Sequence, residues 1–254
     1  MEAILQTSKL SKSFSTGGVQ QHVLKNMDLE IFKNDFTVIM GASGSGKSTL
    51  LYAISGMDTP SLGTVVYKSG AELNIASLNQ DALADFRSKN CGFVFQQIYL
   101  VDSMSILDNV LLSGLLVNKN KQDVLEKSKK LLKAVGIEES MFHKFPTQIS
   151  GGEAQRVGMA RAAVNNPKIL FADEPTGALN SQNSKMVLDV LTELNNQGQS
   201  IVMVTHDLVS ALRANRILYL KDGQIIGELK LEKFIPSDEG RKKKVKDFLA
   251  DFGW

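Results

Sequence analysis

A chain of 254 residues, 43% hydrophobic and 22% charged, is long enough for a sizeable core and ordinary in composition for a globular fold. Its net charge of +2 shows none of the basic excess of a dedicated nucleic-acid binder, and its single cysteine, Cys91, excludes a disulfide scaffold and suits a reducing compartment. The opening MEAILQTSKLSKSF turns polar too early for a secretory core, and the most apolar run, Val110 to Val117, falls well short of the roughly 18 residues of a membrane span.

In chain order, the first strong element is FTVIMGASGSGKSTLL, Phe36 to Leu51. An apolar strand, Phe36 to Met40, runs into a glycine loop and then a helix. Gly41, Gly46, Lys47 and Ser48 fit G-x-x-x-x-G-K-[ST] in the strand–loop–helix setting that this phosphate-binding pattern (the P-loop) requires. Glycines let successive backbone amides converge on phosphate oxygens. The candidate nucleotide-binding residues are therefore Gly41, Ala42, Ser43, Gly44, Ser45, Gly46, Lys47, Ser48 and Thr49. Lys47 can reach the β- and γ-phosphates as a mobile cation, and the Ser48 hydroxyl can ligate Mg²⁺.

A second apolar strand, Gly92 to Phe95, ends in Gln96, which either faces a γ-phosphate through Mg²⁺ or water, or is a loop residue. The segment QIYLVDSMSILDN that follows reads equally as exposed apolar contact surface and as core. Helices are expected at about 106–116, 123–135 and 152–165, without a convincing strand between Ser103 and Asn165. The last of these opens on ISGGEAQRV, a serine and two glycines at a helix N-terminus, which makes a second anion site.

KILFADEPTGALN, Lys168 to Asn180, is an apolar strand that ends in two acids, Asp173 and Glu174. Ligands of open α/β sheets bind at that strand edge. Asp173 suits the Mg²⁺ shell and Glu174 suits polarising the water that attacks the γ-phosphate; taken alone, the pair reads equally as a turn. IVMVTHD then places His206 after a further strand, where it is a candidate hydrogen-bond partner of the γ-phosphate. His22 and His143 have no such setting. After the strand Ile217 to Leu220, the C-terminus becomes an amphipathic helix with Val245, Phe248, Leu249 and Phe252 on one face. Its basic run, Arg241, Lys242, Lys243, Lys244 and Lys246, reads as a solvated face, or else as a surface for anionic lipid or an acidic partner.

Short apolar strands alternating with helices argue for an α/β fold with a mostly parallel sheet, interrupted by an α-helical subdomain at about 97–165. The expected division is an ATPase domain over 1–232 and a helical extension over 233–254.

The P-loop, SGGEAQR, the Asp-Glu pair, Gln96 and His206, in this order, resemble the ATP-binding subunits of ABC transporters over essentially the whole chain. The resemblance implies a P-loop NTPase core with N-terminal antiparallel strands, ATP and Mg²⁺ as ligands, and catalytic roles for Glu174, His206 and Lys47. It implies a Mg²⁺ set of Ser48, Gln96 and Asp173. It also implies a head-to-tail homodimer, in which Ser150, Gly151 and Gly152 of one subunit cover the ATP held by its partner. Phe14, in LSKSFSTGG, matches the aromatic that stacks on adenine, though by itself it fits a core position equally well. One departure is Asn180, where the pattern has an aspartate: an asparagine keeps a hydrogen bond but not the charge.

FRSKNCGFVFQQ and the signature region look like the branch that includes lipoprotein-release and macrolide-export ATPases. TGALN and the terminal FLADFGW look more like the bacitracin-type peptide-antibiotic resistance transporters. That resemblance implies a separate membrane permease docking near Gln97 to Asn109, in a groove between core and helical subdomain, often joined by a sensor kinase. It implies a cytoplasmic subunit, held at the inner face of the membrane by the permease, with no nucleic-acid partner. ABC ATPases that act on DNA or ribosomes carry long coiled coils or a second P-loop, neither of which is present. A small-molecule kinase would have no use for SGGEAQR.

Overall fold

The chain opens on a hairpin of two long strands, β1 (Ala3–Thr16) and β2 (Val19–Phe32), in a computed structural model that describes residues 2–254. Thr16 pairs with Val19, so the turn is only Gly17-Gly18, and both glycines take the left-handed φ (58° and 81°) that such a tight hairpin needs. There follow β3 (Phe36–Met40), α1 (Lys47–Ser55), β4 (Leu62–Ser69), β5 (Ala71–Asn74), α2 (Gln80–Asn90) and β6 (Cys91–Phe95). Three helices come next: α3 (Ile106–Leu115), α4 (Lys121–Ala134) and α5 (Gly151–Ala163). The chain ends with β7 (Ile169–Asp173), α6 (Ser181–Asn196), β8 (Ser200–Val204), α7 (Leu208–Ala211), β9 (Arg216–Lys221), β10 (Gln224–Lys230) and α8 (Arg241–Ala250).

These elements form two compact units, one from the chain up to Leu83 together with Asn195–Trp254, the other from Ala84–Leu194. In the first unit, β2, β1, β4 and β5 pair antiparallel in that order. A second set, in the order β10-β9-β3-β8, has β3 parallel to both neighbours and β10 antiparallel at the edge. All five side chains of β3 and all five of β8 are buried, as expected for parallel strands covered on both faces. Helix α1 packs on β8 and on the hairpin. In the second unit, β6 runs parallel to β7, α5 packs on β6, and α3, α4 and α5 pack on one another. No helix among the described residues is long and apolar enough to cross a membrane.

The C-terminal helix belongs to the first unit. Val245 and Leu249 are fully buried, while Phe252, in the turn after the helix, stacks on Tyr219 with centroids 4.6 Å apart. Lys242, Lys243, Lys244 and Lys246 are exposed. Arg241 is not part of that solvated face: it is 2% exposed. Its guanidinium donates from Nε to the Leu212 carbonyl (2.6 Å), from Nη1 to the Glu232 carbonyl (3.0 Å) and from Nη2 to the Ala214 carbonyl. Phe234 lies against both Arg213 and Arg241. A buried guanidinium is tolerable only when its donors are used in this way. Arg241→Ala would strand three carbonyls. We expect a loss of about 2–3 kcal/mol of stability, measured as a lower urea midpoint with unchanged slope.

Candidate active site

The glycine loop between β3 and α1 is built to leave backbone uncovered. Gly44 (φ 78°) and Gly46 (φ 100°) take left-handed conformations that other residues resist. Gly46 is also the N-cap of α1 and has no side chain to offer the first-turn amides. At Gly41 a Cβ would run into the Leu220 carbonyl oxygen and lie 2.8 Å from Ser45 Oγ. The Lys47 ammonium is 2.9 Å from the carbonyl oxygens of both Gly41 and Ala42, in a residue 7% exposed. Ser45 Oγ is buried and has no hydrogen-bond partner. A buried hydroxyl left unpaired in this glycine loop is what an oxyanion ligand would satisfy.

His206 leaves the same strand edge as this loop. Ile39 lies opposite Val204, and the Thr205 amide donates to the Ile39 carbonyl at 3.2 Å. The residues beside His206 are pinned: Asp207 N–H donates to Thr205 Oγ1 at 3.0 Å, and the Asp207 carboxylate caps α7 by accepting from Val209 N and Ser210 N. Phe14 is 43% exposed, which removes the core reading. The Lys12 ammonium lies 5.0 Å from its ring centroid and is itself held by Asp58 (2.6 Å) and the Thr59 carbonyl (2.8 Å).

The other candidates lie in the second unit. Phe95 pairs with Asp173, so Gln96 and Glu174 leave the ends of adjacent strands together. Gly177 faces the Gln96 amide so closely that a Cβ there would be 2.9 Å from Nε2. Glu174 adopts φ 44°, a left-handed conformation that costs a non-glycine residue on the order of 1–3 kcal/mol. Its carbonyl accepts from the Gly177 amide at 3.0 Å, which closes the turn.

Ser150 caps α5 through a reciprocal box. Its Oγ accepts from Glu153 N–H (3.3 Å), while the Glu153 carboxylate accepts from Ser150 N–H (2.7 Å) and Ser150 Oγ–H (2.8 Å). Those two bonds from Ser150 hold the Glu153 carboxyl below the usual carboxylate range, with a smaller contribution from Arg156. Gly151 is exposed and Gly152 buried; a Cβ on Gly152 would collide with the Asn183 side chain. Asn180 Oδ1 accepts from Asn183 N–H at 2.9 Å, so the asparagine performs the helix-capping task open to an aspartate, without its charge. Further along α5, Gln155 donates to the Phe95 carbonyl (2.9 Å), and Arg161 donates to the carbonyls of Ile98 (2.7 Å) and Tyr99 (2.6 Å). Helix α5 therefore holds the chain on both sides of Gln96.

Gln155, Arg161 and Glu153 were not singled out by the sequence reading. Gln155 lies inside SGGEAQR, but nothing in the sequence announces its bond to the Phe95 carbonyl, and Arg161 carries no sequence signal. Glu153 carries one, the S-x-x-E spacing of a capping box. The loop geometry fits a nucleoside triphosphate. The expected metal donors Ser48, in the first unit, and Gln96 and Asp173, in the second, each offer oxygen, the donor type that Mg²⁺ takes. Among the described residues no cluster of three or more His, Cys, Asp or Glu side chains forms an alternative cage.

The ABC transporter family model matches residues 24–177. The bacitracin export ATP-binding protein BceA of Halalkalibacterium halodurans is 40% identical over 252 residues, 99% of this chain and 96% of that protein. The macrolide export ATP-binding/permease protein MacB of Campylobacter fetus is 39% identical over 97% of this chain, which spans only 38% of that protein's length. Among solved structures, a dimeric ATP-binding cassette in a post-hydrolysis state, bound to ADP and Pi, is 37% identical. It superposes with a TM-score of 0.82 over 91% of this chain and 100% of its own.

Lys47→Ala removes the loop's buried cation. We expect ATP affinity to fall at least about tenfold, the equivalent of ~1.4 kcal/mol, in a titration with a fluorescent ATP analogue. Gly41→Ala, which forces a Cβ into the Leu220 carbonyl, should do the same without changing any charge.

Proposed function

The chain belongs to the ABC transporter family and is one of its ATP hydrolases, and on that premise we propose that it powers a separate membrane permease that removes peptide antibiotics. The observation that carries this reading is the match to an export ATP-binding protein along 99% of this chain and 96% of that one. A groove of about 410 Å³ in the second unit supports a docking role. Its apolar lining is Met104, Leu111, Leu112, Leu115 and Phe145, with Asp108 among its polar residues, a surface that suits an apolar permease segment. The 39% identity to a macrolide export protein favours a second reading, in which the cargo is a macrolide or a lipoprotein. In either case the subunit works in the cytoplasm, at the membrane's inner face.

Two copies bind head to tail around ATP. The loop amides of Gly41–Thr49 and the Lys47 ammonium take the phosphates, and Phe14 offers its ring to the adenine. Mg²⁺ would be held by Ser48, Gln96 and Asp173, and supplies charge neutralisation on the phosphates. The Glu174 carboxylate takes the proton of the attacking water, and His206 donates a hydrogen bond to the γ-phosphate. Ser150, Gly151 and Gly152 of the partner copy complete the γ-phosphate shell at the α5 N-terminus. Loss of the γ-phosphate removes that attraction and the copies separate. ATP and ADP thus bind the closed state with different affinity, as a motor requires.

Glu174→Gln should bind ATP, lose hydrolysis by about a hundredfold or more, and accumulate as a dimer on size exclusion. Turnover near the wild-type rate would remove Glu174 from the proton-transfer role. The same variant, used as bait in detergent-solubilised native membranes with ATP, should recover a permease with a large extracellular domain. Recovery of soluble partners or ribosomes alone would overturn the transport half of the reading.

A further inference from the structure

The hydroxyl assigned to a partner's γ-phosphate is already committed within this chain. Ser150 Oγ–H donates to the Glu153 carboxylate at 2.8 Å, and the same carboxylate oxygen takes the Ser150 amide at 2.7 Å. Both donors belong to the residue that must turn toward the phosphate. Glu153 is moreover an anion beside the place where a second anion is to bind, and like charges at such range repel.

A second feature lies one helical turn on. Arg156 is 6% exposed, its Nε has no hydrogen-bond partner, and its Nη1 reaches only the Met186 sulfur at 3.9 Å. A guanidinium this buried and this poorly satisfied is costly to keep. Positions 153 and 156 are spaced i, i+3, so they share a helix face, and their charges attract.

Building on the trans-site reading above, we infer that Glu153 is a positioning residue that blocks the signature serine until a γ-phosphate displaces it, Arg156 then receiving the released carboxylate. In the resting chain the capping box satisfies α5 internally. When the partner's ATP arrives, the Ser150 hydroxyl and amide exchange the carboxylate for a phosphate oxygen. Glu153 turns to the unpaired Arg156 Nε. ADP has no γ-phosphate to make this exchange, so the box stays shut. Glu153 raises the ATP concentration needed for closure and sharpens the distinction between ATP and ADP.

The test uses the full chain in the Glu174→Gln background, in which closure is uncoupled from turnover. The quantity measured is the ATP concentration at half-maximal dimerisation, by light scattering at fixed protein concentration. Glu153→Gln keeps an oxygen acceptor for the Ser150 amide but removes the charge. It should lower the required ATP about tenfold, with the ATP affinity of the dilute monomer unchanged; the thermal midpoint should fall slightly, because the capping charge is lost. Arg156→Gln should raise the requirement when Glu153 is present and leave it unchanged in Glu153→Gln, a coupling that a purely structural arginine would not show. A dimer whose ATP demand is equal or higher in Glu153→Gln overturns the inference alone. A parent that forms no dimer at any ATP concentration overturns the trans-site reading, and this inference with it.

Discussion

A parallel strand buried on both faces is predominantly apolar, and a polar side chain within it must be paired, as Thr37 of β3 is with Asp35; this constraint shapes the strand ends from which the candidate residues leave. Strands β3 and β8 are buried throughout, and β7 is buried up to its last residue. Most of the candidate residues begin where a strand stops. Gly41 follows β3, His206 comes two residues after β8, Glu174 follows β7 and Gln96 follows β6. The register of each pair, Ile39 with Val204 and Phe95 with Asp173, brings neighbouring strand ends level. The functional residues thus need no long-range targeting of their own. They sit just past the C-terminal ends of predominantly apolar strands.

Much of this was legible in the sequence, because unbroken apolar runs are the signal of such strands. Phe36–Met40 is strand in both readings, and the runs at 92–95, 169–172, 201–204 and 217–220 fall inside β6, β7, β8 and β9. Helices α3, α4 and α5 lie within about two residues of their expected bounds. The motifs are legible for a related reason: glycine and lysine at fixed offsets are rare enough to be seen without a fold. The antiparallel strands were far less legible from residues. The β1–β2 ladder shifts register four times, so the period-two alternation that marks a half-buried strand is broken repeatedly. In β10 the burial alternates only between half-buried and exposed, too shallow a contrast for hydropathy to register.

Side-chain commitments were the least legible. Arg241 opens a run of basic residues and looks like its neighbours, yet it alone is buried, because three carbonyls and the Phe234 ring receive it. Asn180 stands where the family pattern has an aspartate, and within this chain its amide oxygen caps α6 as a carboxylate oxygen would, a use the sequence does not announce. Charge type can be read from sequence. Which atoms use the charge depends on backbone carbonyls whose positions the sequence does not announce.

Helix α5 joins these threads within one unit. Its N-terminus carries partial positive charge, and an anion there is stabilising. At rest that anion is Glu153, drawn from the helix itself. On the proposed cycle it is replaced by a phosphate from outside. The body of the same helix holds the backbone beside Gln96, through Gln155 on Phe95 and Arg161 on Ile98 and Tyr99. Those three bonds are short and α5 is thirteen residues of continuous helix, so a shift at one end has little freedom to be absorbed before the other. On the proposed cycle, the exchange of anions at Ser150 would be passed along α5 to the segment from Gln97 to Tyr99, which leads on to Met104 and the groove. On that reading the proposed ATP-sensing residue and the proposed permease surface are joined by one helix and three hydrogen bonds.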